Sequence, residues 1–132
     1  MPRDPDQLRD FARRYTAAWC SQQPTRVAAH YGAEGRIAVN GAAPAPILDV
    51  AGSFMAAFPD MVISMDDVIQ REDERIEYHW TLDGKNTGPG GTGNHVRMSG
   101  FETWTIGDDG LVASSVGTFD QAEYERQLAE GV

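Results

Sequence analysis

The hydrophobic spacing of this chain changes at Pro59, and that change limits the possible folds more than any other feature. Before it, apolar residues recur every three or four positions; after it, they alternate every second one. The first pattern lays an apolar stripe along a helix, and the second gives a strand one apolar face. Proline lacks an N–H and its ring clashes with the preceding turn, so Pro59 itself closes the helical part. Helices followed by a run of strands define an α+β fold, since a parallel α/β sheet needs the two to alternate. At 132 residues the chain fits one domain, residues 1–132, long enough to bury its own core.

In the first half, Asp4, Pro5 and Gln7 form a helix-start signature: a capping carboxylate, a proline suited to the first turn, and a capping-box partner. Leu8, Phe11, Ala12, Tyr15, Ala18 and Trp19 then share one apolar face, which runs to Cys20. A second, short helix is expected from Pro24, with Val27, Ala28 and Tyr31 inward and Gly32 and Gly35 ending it. Arg36 to Val39 reads as a short strand, Gly41 to Pro46 as a loop, and Ile47 to Phe58 as a third helix. Beyond Pro59, strands are expected over Met61–Gln70, Arg75–Leu82, His95–Ile106 and Leu111–Phe119. Asp120 opens a closing helix, Gln121 to Ala129, with Glu123 placed for another capping box. Lys85 to Gly93 holds five glycines or prolines and reads as a flexible loop at a pocket rim.

Charge excludes several functions. A net charge of −9 repels a phosphate backbone and an anionic membrane surface, so neither nucleic acid nor membrane is an expected partner. No apolar run approaches the roughly 20 residues of a membrane span. Cys20 is the only cysteine, which rules out an intrachain disulfide and suits a reducing cytoplasm. His30, His79 and His95 are scattered without metal-ligand spacing. A cytoplasmic protein with no metal and no cofactor is the expectation.

Three stretches carry a family likeness. Ala57-Phe58-Pro59-Asp60 before an alternating strand resembles the F-P-D junction of SnoaL-like polyketide cyclases. Trp80 to Gly88, with Thr92-Gly93, resembles their W…G-T-H-x-G…T-G hairpin, Asn86 standing where that family has His. Phe119-Asp120 with Gln127-Leu128 resembles their D…L-x-Q-L close. The resemblance implies the NTF2-like cone: N-terminal helices packed on a strongly curved, mostly antiparallel sheet that encloses an apolar pocket. It also implies a homodimer through the outer sheet face, where Glu77, His79, Arg97, Ser99, Phe101 and Thr103 alternate. Chemistry does not follow from fold, because this fold hosts cyclases, isomerases, hydrolases and non-catalytic binders.

Strand parity then selects the candidate residues. Tyr78 and Trp80 point inward with Ile76; Met98, Glu102 and Trp104 share a face with Gly100; Ser115 and Phe119 follow with Gly117. Glu102 stands out on that apolar face, where burial disfavours its charge and raises its pKa, unless a bulge turns it to solvent. By resemblance, Glu102 and Tyr15 fall where the ketosteroid isomerases carry their oxyanion-hole pair. The acid of that pair stays protonated in an apolar site and so can donate a hydrogen bond. The isomerase base falls at Val39 or Asn40, neither of which can abstract a proton. Asp120 matches the cyclases' acid/base aspartate, and it is equally well suited to cap the last helix. Arg75 and Glu77 resemble part of an epoxide hydrolase set whose third member falls at Gly117. Trp19, Asn40, Phe54 and Phe58 complete the expected pocket lining. Two functions follow: proton transfer on an apolar carbonyl compound through Glu102 or Asp120, with Tyr15 assisting, or non-catalytic binding of a small hydrophobic molecule.

Overall fold

The computed structural model describes residues 4–132. Helix α1 spans Pro5–Trp19, and the Asp4 carboxylate accepts from the backbone N–H groups of Asp6 and Gln7 at 2.9 and 3.0 Å. Those two donors have no partner inside the helix, which is why an acidic residue stands there. Helix α2 spans Pro24–Ala28 and α3 spans Ile47–Ala57. The sheet strands are β1 (Tyr31–Val39), β2 (Ala45–Pro46), β3 (Val62–Gln70), β4 (Ile76–Lys85), β5 (His95–Ile106) and β6 (Val112–Phe119), and α4 (Gln121–Glu130) closes the chain. Among the described residues the strands form one sheet in the order β2-β1-β6-β5-β4-β3.

Every neighbouring pair is antiparallel except β1 and β6, which run parallel, Ile37 beside Ser115 and Val39 beside Gly117. The sheet curls without closing, and the helices cover its inner face. Bulges lie between Met65 and Asp67 in β3 and between Thr105 and Ile106 at the β5–β6 pairing. An extra residue on one strand bends it and increases its twist, so these bulges supply curvature. Inward residues are buried as the alternation requires: Ile76, Tyr78 and Leu82 on β4, and Val96, Met98, Glu102 and Trp104 on β5. The apolar stripe of α1 meets them, with Leu8, Phe11, Ala12, Tyr15 and Ala18 all buried.

Three expectations are corrected. Tyr31 does not end α2; it begins β1, and the two glycines serve that strand. A Cβ at Gly35 would lie 2.3 Å from the Tyr31 Cβ, so only glycine lets the irregular start of β1 fold against Tyr31. Ala45–Pro46, inside the expected loop, pairs with Arg36 and Ile37 as a short edge strand. The glycine-rich segment is pinned, and none of its residues lines the pocket described below. Asn86 donates to the Ala57 carbonyl at 3.2 Å and accepts from Thr92 N–H at 2.8 Å. Gly88 packs so closely that a Cβ there would lie 1.8 Å from the Ala56 carbonyl oxygen.

Candidate functional site

Helices α1 and α3 face the inner side of the sheet across a pocket of about 50 Å³. Trp19 comes from α1, Val50 and Phe54 from α3, and Ile37 and Val39 from β1. Ile63, Tyr78, Trp80 and Leu82 come from β3 and β4, and Glu102, Gly117 and Phe119 from β5 and β6. Among the described residues the wall carries no lysine, arginine, histidine or aspartate, and its one carboxyl belongs to Glu102.

Glu102 is 6% exposed. Its Oε1 accepts from the Tyr15 hydroxyl at 2.8 Å, from Trp104 Nε1–H at 2.8 Å and from the Ser115 hydroxyl at 3.4 Å. Tyr15 also meets the Tyr31 hydroxyl at 3.0 Å. The hydrogen bonds from Tyr15, Trp104 and Ser115 all end on Oε1, and the Tyr31 hydroxyl is a further donor at the carboxyl. Removal from water raises the Glu102 pKa, and the donors from Trp104, Tyr15, Ser115 and Tyr31 pull it back only in part. Desolvation wins because these donors are neutral dipoles and, among the described residues, no cation borders the pocket. Burial likewise pushes the Tyr15 and Tyr31 phenols well up, with the Glu102 charge adding to the effect, so both stay protonated donors.

Around this carboxyl the aromatic rings lock one another. Trp104 and Tyr78 stack with centroids 5.0 Å apart, and Tyr15 meets both edge-on at 5.0 and 5.2 Å. The Tyr78 hydroxyl is paired with Thr16 Oγ1. Two other indoles are not satisfied: the N–H groups of Trp19 and Trp80 are buried without an acceptor. Trp19 lies near enough to the Tyr15 hydroxyl to lower its pKa, without hydrogen-bond geometry. Each such donor costs roughly 1–3 kcal/mol.

The expected site residues therefore divide. Glu102, Trp19, Phe54, Tyr78, Trp80 and Phe119 border the pocket; Tyr15, Trp104 and Ser115 stand behind Glu102 and hold it. Met98 and Phe58 are buried in the core away from the lining. Asn40 takes a positive φ of 51° and ties strand ends together, accepting from Phe119 N–H at 2.9 Å and donating to Gln121 at 2.8 Å. Asp120 is exposed and outside the lining, its carboxylate accepting from Glu123 N–H at 3.0 Å as the α4 cap. Tyr31 is not foreseeable as a site residue, because its place depends on the β1 bulge. Ile37, Val39, Val50, Ile63 and Leu82 also line the pocket and are not among the residues expected there, although the two-residue alternation of Ile37 with Val39 and of Ile63 with Met65 marks both strands' inward sides.

Helices wrapped on a curled, open sheet around an apolar pocket define the NTF2-like class of folds. The family model described as SnoaL-like polyketide cyclase matches residues 9–128, and the chain belongs to that family. Among similar solved structures is TsrD from Streptomyces laurentii, 20% identical with a TM-score of 0.78, covering 96% of this chain and 97% of that one. BvnE pinacolase from Penicillium brevicompactum is 16% identical with a TM-score of 0.75, covering 98% and 94%. A phenazine biosynthesis-related protein from Pseudomonas aeruginosa is 17% identical with a TM-score of 0.71, covering 98% and 88%. At such identities the likeness is one of fold. A search of curated protein sequences finds no match.

Proposed function

We propose that this protein is a cofactor-independent enzyme that moves a proton on an apolar, carbonyl-bearing small molecule, with Glu102 as the acid and base. What supports this is the one carboxyl among the described residues of an otherwise apolar wall, clamped through Oε1 by Tyr15, Trp104 and Ser115. A carboxylate with a raised pKa is a stronger base than free glutamate, and its conjugate acid persists closer to neutral pH. Ionised Glu102 would take an α-proton on Oε2, and the C–H electron pair would become an enolate. The enolate carbon would bond to a second carbonyl of the same molecule. That carbonyl's π pair would become an alkoxide, which recovers the proton from Oε2. The sequence is redox-neutral and returns Glu102 to its starting state.

Asp120 has no part in this scheme, since its carboxylate caps α4 outside the pocket. A second reading, a non-catalytic holder of a hydrophobic ligand, is favoured by the absence of another carboxyl among the described lining residues. Exchange of the acetophenone methyl protons in deuterated buffer separates the two. The wild type should accelerate exchange and Glu102→Gln should not. Equal rates for both proteins, with acetophenone bound, would make the protein a binder.

A further inference from the structure

The chain has three tryptophans, and their indole N–H groups have unlike fates. Trp104 donates to Glu102 at 2.8 Å. Among the described residues, the buried indole nitrogens of Trp19 on α1 and Trp80 on β4 have no acceptor in hydrogen-bond geometry, although Trp19 lies close enough to the Tyr15 hydroxyl to lower its pKa. Buried donors without acceptors are rare in folded proteins, so two of them on residues bordering one pocket call for a cause. The sequence makes space for one of these rings: a Cβ at Gly100 would lie 2.7 Å from Trp80 Cζ2.

We propose that Trp19 and Trp80 are substrate-binding donors, which pair with the oxygens of a neutral carbonyl compound whose reacting end enters beside Glu102. This rests on the pocket being the reactive site and deepens it by naming the two residues that would hold the carbonyl compound's oxygens. Indole N–H is a donor only, so it demands an acceptor oxygen and gives a hydrocarbon nothing. An anion is disfavoured because, among the described residues, no cation borders the pocket and Glu102 does. Analogues without the oxygen should be rejected strongly, because they leave the donors unpaired. The pocket, about 50 Å³, is well below the roughly 150 Å³ of a cavity that holds benzene. A ring-sized ligand therefore enters carbonyl first, and the aromatic walls part around that end to uncover the two nitrogens.

The test compares acetophenone with α-methylstyrene, in which a methylene group replaces the carbonyl oxygen, on the 15N-labelled protein. Acetophenone should move the Trp19 and Trp80 indole proton signals downfield, whereas α-methylstyrene should not. Trp19→Phe and Trp80→Phe identify the signals, and each should weaken acetophenone binding about tenfold while sparing the hydrocarbon. If a variant fails to fold, the wild-type shifts alone decide. Equal shifts with both compounds, tighter binding of benzoate, or no acetophenone binding at millimolar concentration would overturn the proposal. Indole shifts without methyl-proton exchange would remove the proton-transfer function and keep the donors; exchange with unmoved indoles would do the reverse.

Discussion

Glu102 couples the pocket to pH. Its folded pKa is raised, so at pH below the ordinary glutamate range the carboxyl is neutral both folded and unfolded, and nothing is lost. As pH rises from there through the folded value, the unfolded chain ionises first and folding is progressively penalised. Glu102→Gln keeps an acceptor for Tyr15, Trp104 and Ser115 while removing that titration. Urea unfolding across a pH series should then show a flatter loss of stability on the alkaline side than in the wild type. Superimposed curves would mean that Glu102 does not set the slope. The residue is legible in the sequence because a two-residue period assigns a face without knowledge of the partner strand. Its companion Tyr31 is not, because two following glycines look like a helix stop when they in fact make a strand bulge. The orphaned indoles are also beyond reach, since donor satisfaction depends on every neighbouring atom.

At the scale of elements, α4 shows how far a capping pattern can be trusted. Asp120 forms its half of the box, but Glu123 turns away to Arg126 at 2.7 Å and to Gln127 at 2.8 Å, which holds its pKa at about 2. Asp120→Ala should cost about 1 kcal/mol and Asp120→Asn much less, measured by denaturant unfolding, because the amide oxygen accepts as the carboxylate does. Turnover within a few-fold of wild type in Asp120→Asn would further exclude it as a proton shuttle. The pinned loop gives a second outcome. Gly88→Ala pushes a methyl into the Ala56 carbonyl, which is backbone and cannot swing aside, so a loss of roughly 1–3 kcal/mol is expected in the same assay. Helix and strand spans are readable because each carries its period locally. The two-residue strand β2 carries none, and only pairing with β1 defines it.

For the whole molecule, the outer sheet face is the proposed dimer surface. His79 stacks on Phe101 with centroids 5.4 Å apart, and Glu77 is paired with Arg71 at 2.7 and 2.8 Å. Half-covered aromatic surface among charges suits a partly polar interface. Sedimentation equilibrium at micromolar concentration should give a dimer, and a monomer alone would remove this expectation. The same face carries an acid-range effect. Arg71, with His79 assisting, holds the Glu77 pKa at about 2. That stabilisation is present above the unfolded glutamate pKa and fades as pH falls toward 2. Glu77→Gln should therefore make the acid limb of the stability profile shallower, and added salt should shrink the difference.

The parallel pairing of β1 with β6 has a consequence for how the chain acquires its form. Ile37 and Val39 belong to the early part of the sequence, whereas Ser115 and Gly117 emerge near its end. Every other strand pair joins segments closer along the chain, so β1 and β6 close the longest loop and bear the greatest entropic delay. Residues from both of those strands border the pocket. A nascent chain still lacking β6 therefore exposes an unpaired β1 edge and has no site, and the two deficits vanish in one late event.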